Sequence, residues 1–326
     1  MAGERGPDVV TVGETLAALR ARGPLRLGGP AGLSVAGAES NVAIGLVRLG
    51  HAVRWVGRVG ADELGELVLR TLRAEKVDVS YAITDDLRQT GLILFERRAG
   101  HLVRALYYRA NSAGSAITPA DVLRALEDAP RILHVTGITP ALGAVAADAI
   151  TAAVHRARAL GTKVCLDVNY RSRLWTAEQA RAALRPLAGL ADILIASAGE
   201  LPLLADAADG PGPAGDTETR TAQALLARGT GEVVITRGAA GATAIRAGER
   251  VSLAAPQVPV VDVVGAGDAF AAGYLSGLLD GLDVPQRLDR AVTTGAFAVA
   301  AEGDWEGLPT RAELSGLDVS GNTTLR

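Results

Sequence analysis

The chain contains one cysteine, Cys165, in 326 residues. That excludes an intrachain disulfide and every cysteine-cluster metal site, and it fits a reducing compartment. The four histidines, His51, His101, His134 and His155, are scattered without H-x-x-x-H spacing, so a histidine-based metal centre has no framework. Lysine is nearly missing. Lys76 and Lys163 are the only two, neither lies in a glycine-rich turn, and no G-x-x-x-x-G-K-[ST] loop exists, which removes P-loop nucleotide chemistry. A Schiff-base lysine has little support, because Lys76 follows an amphipathic helical stretch and Lys163 opens a strand. No long apolar run is present either. The most apolar window, residues 132–154, is broken by His134, Gly137, Pro140, Gly143 and Asp148, unlike a membrane span. The start, MAGERGPDVVTVGE, carries early acids and does not read as a secretory signal. Positive charge is not in excess: 33 Lys+Arg against 36 Asp+Glu leave a net charge of -3, too little to gather nucleic acid or anionic lipid. A cytoplasmic protein with neither nucleic acid nor membrane as partner is expected.

What is present is 48% hydrophobic and 21% charged, the balance of a globular chain. Short Val/Ile/Leu runs alternate with Ala- and Leu-rich helical patterns, the signature of βα units around a parallel sheet covered on both faces. Strands are expected at 9–12, 53–59, 132–135, 164–168, 193–196 and 233–236. Helices are expected at 39–49, 62–74, 142–160, 177–187, 217–227, 266–279 and 285–301. Two stretches break this rhythm. Residues 16–36 hold Gly23-Pro24 and Gly28-Gly-Pro30 around short apolar pieces, and 90–113 places two apolar runs around Ala99-Gly100 as a hairpin would. A small sheet built from them could lie over the strand ends as a lid that excludes water. Residues 202–216 read as a surface loop within one domain spanning 1–326, because the βα pattern continues on both sides.

The most informative segment is Val258-Pro-Val-Val-Asp-Val-Val-Gly-Ala-Gly-Asp-Ala-Phe270: a β-rich run, a Gly-Ala-Gly turn, then an Ala/Leu helix. Unpaired N–H groups at a helix start, beside glycines that admit a ligand to the backbone, bind anions such as phosphate. Asp268 falls in the first helical turn, where a carboxylate can take the proton from a hydroxyl that accepts a phosphoryl group. The plainer reading is a tight turn at Gly265 and Gly267 with Asp268 complementing the helix dipole. A dinucleotide fingerprint, G-x-G-x-x-G, fails at its third position, where Phe270 stands.

A second segment, Val35-Ala-Gly-Ala-Glu-Ser-Asn-Val-Ala-Ile-Gly-Leu-Val-Arg-Leu-Gly50, is followed by Val56-Gly-Arg-Val-Gly-Ala-Asp-Glu-Leu-Gly65. Together with the Gly-Ala-Gly-Asp helix start, this resembles the two signature motifs of the ribokinase (PfkB) family of carbohydrate kinases. The resemblance runs over nearly the whole chain. It implies a ribokinase-like three-layer α/β/α sandwich with a mostly parallel central sheet and a small β-sheet lid, sugar under the lid and ATP beside the helix. Within the family the chain is similar to the kinases of 2-keto-3-deoxygluconate. Gly37-Ala-Glu-Ser-Asn41, Tyr107-Tyr-Arg-Ala-Asn-Ser-Ala-Gly-Ser115, Gly137-Ile-Thr-Pro140, Asp167-Val-Asn-Tyr-Arg-Ser-Arg-Leu-Trp175 and Gly303-Asp-Trp-Glu-Gly-Leu-Pro309 carry that likeness.

The resemblance implies roles. Asp268 is the expected base, with Gly265, Ala266 and Gly267 as backbone donors. Gly37, Asn41, Tyr107, Arg109, Arg171 and Asp304 are expected at the sugar. Arg109 and Arg171 would fork its carboxylate, although in an arginine-rich chain either alone reads as a solvated surface group. Tyr107 reads equally as an aromatic packed under the hairpin, Asn41 as an early helix residue, and Asp304 as a cap. Asn169, Ser197, Thr236, Arg237, Gly238 and Gly241, with Gly265 and Gly267, are expected at ATP. Glu200 would organise Mg2+ through water, and a monovalent cation is the one further cofactor the resemblance suggests. The expected partners are the sugar acid and ATP, in a homodimer joined through the lids.

Three departures stand out. Relatives show N-x-x-E where this chain has Ser197-Ala-Gly-Glu200, a glycine pair where it has Ala36-Gly37, and a lid tyrosine where it has Ile93 after Thr90-Gly-Leu92. Other readings of the same residues are a family kinase of fructose or ribose, which has no use for a carboxylate fork, and a non-catalytic sugar-binding protein, which has no use for a base.

Overall fold

The computed structural model describes residues 6–98, 103–205 and 217–316. The first half runs β1 (Val9–Val12), β2 (Leu16–Ala21), β3 (Ala31–Ala36), α1 (Ala38–Arg48), β4 (Val53–Val56), β5 (Arg58–Gly60), α2 (Glu63–Ala74), β6 (Ile83–Asp85), β7 (Leu92–Arg97) and β8 (Val103–Tyr108). Then come α3 (Pro119–Ala125), β9 (Ile132–Thr136), α4 (Ala144–Leu160), β10 (Lys163–Asp167), α5 (Ala177–Ala188), β11 (Ile193–Ser197) and α6 (Thr217–Ala227). The chain continues through β12 (Glu232–Thr236), β13 (Ala242–Arg246), β14 (Glu249–Leu253), α7 (Ala266–Leu279) and α8 (Val284–Val299).

Strands buried on both faces need continuous apolar runs, and β1, β4 and β9 are buried throughout. They belong to an eight-stranded sheet ordered β14-β13-β12-β11-β10-β9-β1-β4. The six strands from β12 to β4 are parallel, and β13 and β14 extend the β12 edge as an antiparallel ribbon. One core cluster packs α1, α2, α7 and α8 on one face, and a second packs α3, α4, α5 and α6 on the other. The result is the expected three-layer sandwich. Small residues set its close spacing: a Cβ on Gly45 of α1 would sit 2.7 Å from the Ala272 methyl of α7. Helix starts are locally encoded, with reciprocal capping boxes at Thr118/Asp121, Thr176/Gln179 and Asp283/Gln286.

The two excursions form the lid, a four-stranded sheet ordered β3-β2-β7-β8. Its underside buries Leu16, Ala18, Ala36, Ile93 and Phe95, against which Val264 packs from the body. The expected hairpin turn at Ala99-Gly100 lies outside the described residues, as does most of the 202–216 loop.

Three local expectations are corrected. Residues 53–59 do not form one strand: the chain breaks at Gly57, where a side chain would collide with the Trp55 ring, and β5 leaves to pair with β6. The β-rich run before the Gly-Ala-Gly turn is not a strand. Pro256 and Pro259 supply no N–H to a ladder, and Val260, Val261 and Val263 are exposed. The helix expected from 142 begins after Gly143, whose φ of +152 separates it from a 3-10 turn. Pattern reading also passed over α3, β6 and the β13–β14 ribbon. Among the described residues, no helix is long and apolar enough to cross a membrane, and no group of three or more His, Cys, Asp or Glu is placed to hold a metal ion.

Candidate active site

Open α/β sheets hold ligands outside the C-terminal ends of their strands. Here a cavity of about 530 Å3 lies between those ends and the lid, its lining drawn from Glu14 after β1, Thr236 of β12, β3, β7, β8 and the start of α7. Among the residues the sequence singles out, it brings together Gly37, Asn41, Tyr107, Arg109, Asn169, Arg171, Ser197, Glu200, Thr236, Gly265, Gly267, Asp268 and Asp304.

At one end stands the start of α7. Gly265 is left-handed, with φ +77, and any side chain there would collide with the carbonyl of Asp304, so glycine is required. A Cβ on Gly267 would meet nothing within 4 Å, and although the N–H of Ala266 donates to the carbonyl of Val263 at 3.4 Å, those of Gly267 and Asp268 have no hydrogen-bond partner among the described residues, the arrangement that binds anions. Asp268 is buried, and its Oδ2 accepts from Asn41 Nδ2 at 2.7 Å. Burial pushes its carboxyl up to about 7, helped by Asp304 and Glu39 and opposed by the Asn41 hydrogen bond and the Arg171 charge. A carboxylate that gains and loses its proton near neutral pH is suited to general base work.

A profile of the pfkB family carbohydrate kinases matches residues 7–311. The chain belongs to that family. It is 38% identical to the 2-dehydro-3-deoxygluconokinase of Bacillus subtilis over 313 residues, 94% of each chain. It is 30% identical to the 2-dehydro-3-deoxygalactonokinase of Haloferax volcanii over 91% of this chain and 92% of that one. In fold it is similar to an Escherichia coli protein provisionally named ribokinase II and solved with ATP and Mg2+, with a TM-score of 0.85, 26% identity and coverage of 95% and 98%.

The kinase's cavity is also lined by two arginines. Arg109 is largely buried and committed: its Nε donates to Glu14 Oε2 at 2.7 Å, its Nη2 pairs with the same oxygen, and Ser112 donates to the other. Its guanidinium also lies 5.6 Å from the centre of the Tyr107 ring. Arg171 is exposed, has no carboxylate partner within 4 Å among the described residues, and bonds only to the carbonyl of Tyr170 at 3.4 Å. Tyr107 is 40% exposed and lines the cavity. Asp304 is buried and ion-paired to Arg20 at 2.8 Å, yet burial still pushes its carboxyl up to about 6. Ile93 is packed beneath the lid, where it closes the roof.

The lining also holds a set of acids. Asp167 is buried and pushed well above the usual carboxylate range, first by desolvation and then by Glu200 and Asp268. Glu200 spends both oxygens on backbone N–H groups, of Tyr170 at 2.7 Å and Ser197 at 2.8 Å. Asn169, at φ +39, donates to Asp167 and leaves a buried Oδ1 unpartnered. Mutually repelling carboxylates beside an open anion-binding turn fit a metal-bound triphosphate, whose cation would relieve the repulsion.

Not every expected residue is here. Ala266 does not line the cavity, and Arg237, Gly238 and Gly241 lie outside it. Arg237 pairs with Glu218 and donates to Thr243 at 2.7 Å in a separate surface cavity. Gly241, at φ +92, turns the chain from β12 into β13. Pattern reading missed four residues: Glu14, Glu39, Asp167 and Arg20. Glu39, whose Oε1 accepts from Thr136 at 2.6 Å and Thr139 at 3.0 Å, sits inside the quoted glycine-rich motif, and Asp167 opens the quoted Asp-Val-Asn run. A carboxylate in mid-motif on a helix that is otherwise buried was the available signal. Arg20 had none, being one arginine among many.

Proposed function

We propose that this kinase transfers the γ-phosphoryl group of MgATP to the terminal hydroxyl of 2-keto-3-deoxygluconate. One observation carries the reading: a single cavity is lined both by a neutral-range carboxylate beside an anion-binding turn and by a guanidinium without an ion pair, Arg171, together with Arg109 and Tyr107. An acid sugar bound by its carboxylate at the arginines would present its far hydroxyl to Asp268. Asp268 takes the hydroxyl proton, the oxygen bonds to phosphorus, and the bond from γ-phosphorus to the bridging oxygen breaks, its electron pair leaving with ADP. The N–H groups after Gly265 face the charge that grows on the phosphoryl oxygens. Gly37 and Asn41 flank the sugar, and Asn41 orients the base.

On the nucleotide side, Asn169, Ser197 and Thr236 border the triphosphate, while Arg237, Gly238 and Gly241 serve the outer part of the nucleotide, beyond the cavity. Asp167, and Glu200 through water, would hold Mg2+, which would lower the repulsion between the phosphates and Asp167. A monovalent cation, a cytoplasmic location and a homodimer complete the reading. The lid edge β3, with Leu33 exposed, is the surface the second copy would cover.

The test is kcat/KM for 2-keto-3-deoxygluconate, its C4 epimer, fructose and ribose. A preference of the wild type for a neutral sugar would overturn the acid-sugar reading, and ATP turnover with none of them would favour a binding protein.

A further inference from the structure

Three of the four lid strands meet the body along one short segment. Alternate acidic residues of Glu302-Gly-Asp-Trp-Glu306 each take a partner on a different lid strand. Glu302 Oε1 accepts from Arg97 of β7 at 3.2 Å, Asp304 Oδ2 from Arg20 of β2 at 2.8 Å, and Glu306 Oε1 from Ser34 of β3 at 2.6 Å. The partners follow the order of the strands in the lid, β7, β2, β3. The outer two contacts are exposed and the central one is buried, with side-chain exposures of 16% for Arg20 and 6% for Asp304.

Arg20 makes a second ion pair, from Nη1 to Asp262 Oδ2 at 3.0 Å, while its guanidinium stacks over Phe95 at 4.2 Å. The other oxygen of Asp262 accepts from the N–H of Val264, next to Gly265, and Gly265 packs on the carbonyl of Asp304. One guanidinium on the lid thus ties together the two loops that flank the phosphoryl-binding turn.

We propose that Arg20 is a positioning residue: it holds Asp304 in the sugar site and seats the lid on segment 302–306, so that sugar affinity and lid seating are set together. This rests on the sugar-kinase reading of the cavity but not on which sugar fills it. The planar fork of arginine satisfies two carboxylates from separate edges while its face covers Phe95, which a lysine ammonium cannot do. Without it, Asp262 and Asp304 are left close together and buried with no cation, and Asp304 takes a proton or moves. A protonated carboxyl donates where an ionised one only accepts, so its hydrogen bond to a sugar hydroxyl is lost or reversed.

Arg20→Met keeps the stem over Phe95 and removes the charge. It should raise the KM of the sugar about tenfold or more while moving the KM of ATP less than about threefold, a split that general loosening of the fold does not produce. The path is tested by a double-mutant cycle. With Asp304→Asn there is no charge to hold, so adding Arg20→Met should raise the sugar KM by less than about threefold more. A sugar KM for Arg20→Met within about twofold of wild type overturns the proposal, as does a full multiplicative loss in the double variant. If Arg20→Met does not fold, Arg20→Lys keeps a positive charge between the acids. An intermediate KM is then expected, and a wild-type KM would remove the bridging role.

Ser34→Ala and Glu302→Gln, remote from the cavity, should each raise the sugar KM about two- to threefold, and no change in either would remove the seating of the lid. Each measurement is repeated with fructose. If the acid-sugar reading fails because fructose is preferred, the cycle is read on fructose and stands or falls separately.

Discussion

Two sets of side chains in the cavity are built by opposite means. The phosphoryl end is continuous in sequence: Gly265, Gly267 and Asp268 lie within four residues, the turn is forced by a left-handed glycine, and the carboxylate is buried against Asn41. The side chains proposed for the sugar come from β8 and the residue after it, the loop after β10 and segment 302–306, which packs against Gly265, and they range from Arg109, committed to Glu14, to the exposed Arg171, which has no ion pair. The difference separates two tasks. Phosphoryl transfer needs donors and a base that do not reorganise, which a helix start supplies. Selecting a substrate needs charged groups that find a partner when the substrate arrives, as Arg171 can, while Arg109 has only the Nη1 side of its fork left beyond Glu14.

The largest effect should come from the rigid end. Asp268→Asn keeps the fold and nucleotide binding but should lower kcat by about 10²–10⁴, the contribution of a positioned base. Near-normal turnover would make the two ends equal and remove Asp268 from the chemistry.

Next come the arginines, which should not behave alike. Arg171→Ala removes a cation without an ion pair, so the keto acid should lose about 10–100-fold in kcat/KM, fructose should lose less, through the Arg171 charge felt by Asp268, and the thermal midpoint should stay put. Arg109→Ala should cost a similar factor and also lower the midpoint by several degrees, because Glu14 is left buried and unpaired. Equal losses on acid and neutral sugars would show that neither arginine reads the carboxylate.

A smaller effect is the pH profile of the free enzyme. The base must be ionised and burial holds it up to about 7, so kcat/KM should fall about tenfold per pH unit below that value and level off above it. A profile flat down to the ordinary carboxylate range would mean that Asp268 is not the titrating group.

The smallest effect concerns stability, and its sign is opposite to that on activity. A carboxyl raised from 3.8 to about 7 binds its proton more tightly folded than unfolded, so its ionisation costs stability that is lost as pH rises through this range. Asp268→Asn removes that cost. It should stabilise the protein by about 2–4 kcal/mol at pH 8, an advantage that shrinks toward pH 4, measured by thermal melts across pH. A destabilised variant at pH 8 would contradict a buried, strained base.

Much of this frame was legible in the chain. The βα rhythm, the two lid excursions and the helix from Ala266 appear where periodicity places them, because 2.0 and 3.6 repeats and capping residues act within a few positions. The failures were local in another way. The break at Gly57 depends on the Trp55 ring, and residues 258–264 alternate like a strand but pair with no strand, Val261 and Asp262 donating instead to the carbonyl of Val299. Glu14 and Arg20 gave no signal, because a charged residue near a strand end reads the same whether it faces water or a partner.

From the sequence alone come the family, the three-layer order and the turn proposed for the transfer, since a glycine turn, a run of first-turn N–H groups and an adjacent acid need only neighbours along the chain. Only the tertiary structure decides that Asn41 meets Asp268 across 227 positions, that Glu14 occupies Arg109 while Arg171 has no ion pair among the described residues, and that Arg20 joins Asp262 to Asp304. Hydrogen bonding, Coulomb interaction and desolvation fall off with distance in space and carry no memory of separation along the chain, so the protonation and pairing of these groups exist only once the lid is on the body.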